Sequence, residues 1–546
     1  MNSSAPIAAR HGAAATSQRL ASAVAVELLQ AGGSAVDAAL GANAMLSLIE
    51  PHMCGPGGDL FALVWEPASR NLHGLNASGC APRGQSLAAL RTRLGEVPVI
   101  PIHGVHSMTV PGAVRGWQAL HERFGCLSLD RIYAPVIAHA RSGVETGPAT
   151  AAWWGHCATA VAESPLGALA EGFKQVFMPG GAAPASGTRF RNAALANTYA
   201  GIAARGFDDF YQGQLGARLS AYLVASDAPI TAQDLAAAQV EWVTPLTTRY
   251  RGYDIYELPP NGQGLAVLQM LNMLECLPRA DSKPFSDDYW HAFIETKKLA
   301  FEDRARYYAD PAYSEVPIAA LADKAYAAQR AATITARANH SPRPGAAGIT
   351  VGDTTYLTVA DESGMMVSLI QSIFQGFGCG LVSPDLGFAL QCRGAGFSLE
   401  QDLPNSYAPG KRPFHTIIPA FVMREGEPYM AFGVMGGDVQ PQGQVQILVN
   451  HLDFGMDIQA AGAAARMRHD GLNGPHQARE SDTGVVLYEA GFPPELLAAL
   501  RARGHVLQPF SHPVVHFMGG YQCIQRTADG WQAASEPRFD GCALGY

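Results

Sequence analysis

The stretch Gly352–Gly364, GDTTYLTVADESG, decides how the rest of the chain is read. Before it runs Ala331–Asp353, AATITARANHSPRPGAAGITVGD, which has lost any apolar period and carries Pro342, Pro344, Gly345 and Gly348, the marks of an exposed loop. After it comes MMVSLIQSIF, a second apolar run. The spacing predicts a β-hairpin turning at Asp361–Gly364, with Thr354 and Thr355 opening its first strand. Threonine is β-branched and suits a strand anywhere. That leaves open why two of them follow directly on an acidic residue at the end of a long loop.

Reading outward, the C-terminal portion is strand-like: YMAFGVMG and HFMGGYQCIQR alternate or run apolar. The N-terminal portion is helix-rich. TSQRLASAVAVELLQAGG has helical apolar spacing and stops at Gly32–Gly33, and Ser34 caps a second helix whose Asp37 suits the N-terminal dipole. EPHMCGPGGD breaks that helix before the buried strand LFALVWEP. PGAVRGWQALHERFG reads as a helix started by its proline and ended by Gly125. Tyr289–Tyr308 reads as a long helix with mixed-sign charges on an exposed face. The pattern predicts a layered α/β architecture.

Of the 546 residues, 48% are hydrophobic and 16% charged, as in a well-packed globular chain. A net charge of −9 leaves no footprint for nucleic acid or an anionic membrane. Nine cysteines, scattered singly with no CxxC pair, argue for reduced thiols. No charged-then-apolar leader and no run long enough to span a bilayer are present, so a soluble, cytoplasmic protein is expected.

Several familiar sites are missing: there is no GxSxG, no HExxH and no GxxxxGK[ST]. Cys54–Asp59, CGPGGD, is glycine-rich but precedes a strand, so it reads as a tight backbone turn and not a phosphate cradle. The seventeen histidines, His52 and His516 among them, show no metal-ligand spacing, and no metal or cofactor is expected. Gly436 and Gly437, in MGGD after an apolar strand, are either turn glycines or a pair of open backbone N–H groups able to hold an oxyanion. Lys411–Ala420, KRPFHTIIPA, reads as two cations joined to a strand, a basic edge carrying His415 and Thr416.

In order along the chain, AGGSAVDAAL, EPHMCGPGGDLF, VPGAVRGW, HAFIETKKLAFEDR, GDTTYLTVADESG, GKRPFHTIIPA, VMGGDVQPQ and GCALGY resemble the γ-glutamyltransferase family of N-terminal-nucleophile hydrolases. The resemblance implies a four-layer αββα sandwich formed jointly by two chains cut from one precursor. It places the cut between Asp353 and Thr354, giving a large subunit 1–353 with its processing loop at about 331–353 and a small subunit 354–546. Thr354 would then be an N-terminal nucleophile whose own α-amine, with a pKa of roughly 7.7–8.0, serves as base. The same resemblance assigns Ser372 to a hydroxyl that bonds the nucleophile, and Gly436–Gly437 to the oxyanion amides. Partners would be a small-molecule amide and the two subunits themselves, with a dimer of such pairs possible.

The substrate pocket departs from the family pattern. Where the transferases hold an α-carboxylate with arginine, NASGCAPRG has Ser78. Where they hold an α-amine with acids, QCRGAGF has Arg393 and Gly396. A family asparagine falls on Phe374, and a Ser-Ser pair becomes His415–Thr416. Arginine in place of carboxylates favours an anionic substrate held by a fork of N–H groups. This spelling is similar to a branch containing oxamate amidohydrolases and cephalosporin-acylase-like proteins. Hydrolysis of oxamate to oxalate and ammonia would use Thr354, Gly436–Gly437 and Arg393, with His415 as a further contact. The alternatives are glutathione hydrolysis, a glutaryl or cephalosporin-type acylase with Phe374 lining the acyl pocket, and an inactive scaffold.

Overall fold

A computed structural model describes residues 5–277, 283–340, 353–471, 484–511 and 515–546. Two seven-stranded sheets form its centre. The first runs in the order Cys542–Gly545, Ala13–Thr16, Asp353–Ala360, Met366–Phe374, Asp59–Glu66, Asn71–Ala77, Glu241–Val243. The second runs Ile7–Ala9, Gly530–Ser535, Gly520–Thr527, Glu427–Met435, Ala420–Arg424, Tyr253–Glu257, Leu246–Tyr250. Helices cover the outer face of each sheet, completing the αββα sandwich. Period-two alternation divides the core: Ala431 joins the cluster between the sheets, whereas its neighbours Met430 and Phe432 join the one beneath the outer helices. Tyr356 crosses the interface against Gly433, where an added Cβ would stand 2.5 Å from its ring.

The expected hairpin is present and tied to a helix start. Asp361 Oδ1 accepts the N–H groups of Ser363 and Met365, and Gly364 takes φ +91°. Asp361 Oδ2 accepts the Ala35 N–H at 2.7 Å, at the head of helix Ala35–Ile49. That helix opens with the reciprocal Ser34–Asp37 capping box and is buried along its whole length.

Three expectations need correction. Helix Ala113–Phe124 starts after Gly112, so Pro111 precedes the cap and does not begin the helix. The charges of helix Asp287–Tyr307 are not on an exposed face: Glu295, Lys297, Lys298, Glu302, Asp303 and Arg304 are buried, because the C-terminal layer and the 438 turn pack over them. Most survive burial by pairing, Lys298 with Glu295 and Arg304 with Asp438, both at 2.7 Å, whereas Lys297 contacts His469 and burial pulls its pKa well below the usual lysine range. Lys411–Pro419 is irregular backbone, with strand beginning only at Ala420. Lys411 is buried, its ammonium donates to the Pro404 and Ser406 carbonyls, and burial brings its pKa down to about 8.

All nine cysteines are free thiols. Among the described residues no helix is long and apolar enough to cross a membrane. Residues 341–352 of the expected processing loop, and the side chains of Asp353 and His516, lie outside the described residues.

Candidate active site

Strand Asp353–Ala360 brings Thr354 beside strand Met366–Phe374, and the register slips there: Asp353 faces Phe374, but Thr355 faces Gln371. Two residues, Ser372 and Ile373, therefore oppose Thr354 alone, a bulge that turns Ser372 toward it. Thr354 Oγ1 donates to Ser372 Oγ at 3.4 Å, and both side chains are fully buried. The turn Cys54–Gly58 makes this approach possible. A Cβ on Gly58 would lie 2.5 Å from the Ser372 carbonyl oxygen, and one on Gly57 2.2 Å from that of Ala389. The tight-turn reading of CGPGGD holds.

Arg393 sits in a single 3-10 turn, Arg393–Gly396. Its guanidinium is fully buried; Nη2 donates to Ser372 Oγ at 3.0 Å and Nη1 to Thr416 Oγ1 at 2.8 Å. It lies 4.1 Å above the Phe374 ring. Among the described residues it has no ion pair, and its Nε has no hydrogen-bond partner. Burial lowers its pKa to about 10 despite the fields of Asp59 and Asp438. Phe374 takes φ +81°, a backbone region that bulky residues rarely adopt, with its N–H donating to Ser372 Oγ at 2.9 Å.

His415 behaves differently from the expectation of a further anion contact. Its Nε2 bonds Asp59 Oδ2 at 3.1 Å, and its Nδ1 accepts the Ile417 N–H at 3.3 Å. Burial, then the Arg393 charge, pulls its pKa down to about 4, so the ring is neutral at pH 7 and adds no cation. Asp59 Oδ1 in turn accepts the Gly79 and Gly112 N–H groups and Gln391 Nε2. Ser78, where the transferases have arginine, is buried in the wall, donating to Asn76 and accepting from Asn261.

Gly436 and Gly437 end strand Glu427–Met435 and lead into helix Val439–Leu452. Both take positive φ, +121° and +63°, which only glycine adopts freely. Both are buried, and among the described residues neither N–H has an acceptor in the protein. Buried amides without acceptors are uncommon, and such a pair suits a developing negative charge.

The sequence reading missed Glu50, Asp59, Gln263 and Arg304. Glu50, Asp59 and Gln263 stand singly among apolar, proline or glycine residues, and Arg304 is hidden in the charged run Glu302–Arg306, so no local pattern singles any of them out. One metal-type grouping occurs among the described residues: His291, Glu295 and His505, with ligand atoms within 4.8 Å. Those atoms already serve as a clamp. His291 bonds His505 and the Thr335 carbonyl, while Glu295 bonds Lys298 and the Asn339 N–H.

Residues 21–546 match the family model described as gamma-glutamyltranspeptidase. The chain belongs to that family. It is 36% identical to the oxamate amidohydrolase proenzyme of Klebsiella pneumoniae, over 98% of each chain. It is 33% identical to the glutathione hydrolase-like YwrD proenzyme of Bacillus subtilis, over 96% of this chain and 97% of that one. In structure it is similar to the cephalosporin acylase of Bacillus halodurans, at TM-score 0.92 and 36% identity over 100% of this chain and 98% of that one. As a gamma-glutamyltranspeptidase-family member it is an N-terminal-nucleophile hydrolase that acts on amides.

Proposed function

We propose that the chain is a self-cleaving amidohydrolase with Thr354 as nucleophile and a small amide bearing a carboxylate, oxamate first, as substrate. The observation that supports the reading is Arg393: a buried guanidinium bonded to Ser372, the neighbour of Thr354, with no carboxylate among the described residues paired with it. Burying an uncompensated charge is costly, and a substrate carboxylate would offset that cost. The Phe374 ring, 4.1 Å from the Arg393 guanidinium, puts bulk beside the anion site, which favours a small substrate over the acylase alternative.

In self-cleavage Thr354 Oγ1 attacks the Asp353 carbonyl. The peptide becomes an ester, and water releases the Asp353 carboxylate and a free Thr354 amine. In turnover that amine takes the Oγ1 proton as Oγ1 attacks the amide carbon. The Gly436 and Gly437 N–H groups hold the oxyanion, and Ser372 keeps Oγ1 in place. Ammonia leaves with the proton, and water frees the diacid from Thr354. The proenzyme names of the relatives support a two-chain mature form.

Intact mass and ammonia release test this together. The expected result is two fragments, the smaller starting at Thr354, with oxamate preferred to glutathione and to a glutaryl amide. An uncut chain inactive on all three would leave the scaffold alternative standing, and preference for glutathione would discard the assigned substrate.

A further inference from the structure

Segment Leu258–Gly264, LPPNGQG, played no part in the functional reading, yet it braces both walls of the proposed site. Gln263 is fully buried. Its Nε2 donates two hydrogen bonds, to the Thr416 carbonyl at 2.7 Å and the Gly437 carbonyl at 3.0 Å. Its Oε1 accepts from Arg304 Nη1 at 2.6 Å, and the same Nη1 reaches Asp438 Oδ1 at 2.7 Å. The Arg304 guanidinium is clamped 3.8 Å over the Phe301 ring. Two residues earlier, Asn261 donates to the Pro413 carbonyl at 2.7 Å, and its own carbonyl accepts the His415 N–H at 2.8 Å.

We propose that Gln263 is a positioning residue that fixes the Gly436–Gly437 turn relative to the Thr416–Arg393 anion site. The inference rests on the assignment of Thr354, Arg393 and the glycine pair made above. Consecutive glycines at positive φ have no side chains to hold their peptide planes, so the amides aim correctly only if something outside the turn restrains them. Gln263 grips the Gly437 carbonyl, and Arg304, through Asp438, grips the next residue. The other Nε2 hydrogen bond goes to the residue whose hydroxyl receives Arg393. One side-chain amide therefore spans the two groups that must meet opposite ends of a short substrate: oxyanion donors at the amide carbon and guanidinium at the carboxylate. Registration to fractions of an ångström between such groups is what transition-state stabilisation needs.

The test compares wild type, Gln263→Ala, Gln263→Glu and Arg393→Ala on oxamate, glutathione and a glutaryl amide. Rates are referred to the fraction of chain cut at Thr354, read by intact mass, so that misfolded or uncut protein does not count. Gln263→Glu keeps the size and the Arg304 contact but removes both donors. Both Gln263 variants are expected to lose about 10–100-fold in kcat on the substrate wild type prefers, with KM moving less than about threefold. Arg393→Ala is the contrast and moves KM. If Gln263→Ala fails to fold, Gln263→Glu decides alone. Wild-type kcat in a cut Gln263 variant, or a loss confined to KM, overturns the positioning role while leaving the nucleophile assignment intact. Failure of wild type itself on every amide overturns the underlying reading.

Discussion

The two threonines that open the hairpin face opposite ways, and their hydroxyls meet different company. Thr354 donates to Ser372, whose hydroxyl also receives Arg393, whereas Thr355 donates to Glu50 Oε2 at 3.1 Å, beside Ser17. Burial raises the Glu50 pKa, so each donor it keeps matters to the fold. Thr355→Val should therefore lower stability by about 1–2 kcal/mol and leave the chain able to cut itself, while Thr354→Ala should abolish cutting at nearly unchanged melting temperature. Denaturant titration with mass spectrometry on both variants separates these roles. Arg393→Ala should raise KM for oxamate by roughly 10–150-fold, from the ~1.5–3 kcal/mol of a charge-assisted bond, and Arg393→Lys should recover only part of it because the fork to Ser372 and Thr416 is lost. An unchanged KM would remove Arg393 as anchor. His415 sets a pH dependence. Its folded pKa of about 4 lies below the unfolded value of 6.5, so the unfolded chain binds the extra proton between those values. Stability is full above pH 6.5 and falls as the pH drops toward 4, by about 3 kcal/mol from this ring. His505, held down to about 3, adds loss in the same direction. Urea midpoints at pH 7 and pH 4.5 should differ less in His415→Gln than in wild type.

At the scale of elements, legibility followed the range of the interactions. The capped helix at Ala35 and the Asp361–Gly364 turn were readable because their determinants lie within four residues of one another, and the glycine turn before Asp59 was readable from its composition although the backbones it admits come from residues 372 and 389. The long helix misled because its charge pattern matches a solvated face, whereas the partners that hide it come from residues 330, 339 and 438. The irregular Lys411–Pro419 segment misled in the same way, since its hydrogen bonds run to residues 261, 404 and 406. Thr354, Ser372, Arg393, Thr416 and Phe374 were named from sequence and do converge in space; the bracing by Gln263 and Arg304 was invisible because its bonds to Thr416, Gly437 and Asp438 each cross more than 130 residues. The Cys54–Gly58 turn carries a prediction of its own. Gly58→Ala places a methyl against the Ser372 carbonyl, so it should destabilise by about 1–3 kcal/mol and slow cutting at Thr354, whereas Gly84→Ala, with open space around it, should do neither. Equal cutting rates in the two variants would show that Ser372 tolerates displacement.

For the whole molecule, the expected division into a helix-rich front and a strand-rich back understates how the two segments interweave. Residues before 341 supply four strands to the first sheet and three to the second, and those after 352 supply the remainder of each. The proposed cut at Thr354 would sever one peptide bond but no sheet, and the halves should co-elute in native size-exclusion chromatography and unfold in one transition. Two separate transitions would contradict this. The weave extends to the chain ends. Cys542–Gly545 pairs with Ala13–Thr16, and the N–H groups of Arg10 and His11 both donate to the Tyr546 carbonyl. Ala5 is five residues from Arg10 and so within about 18 Å of Tyr546. A linker of six to eight residues would join them, and the polypeptide could be reopened at Thr354 as a circular permutant. Once its initiator methionine is removed, such a chain would leave the ribosome with threonine already at its amino terminus, an enzyme with no precursor stage and no need to cut itself.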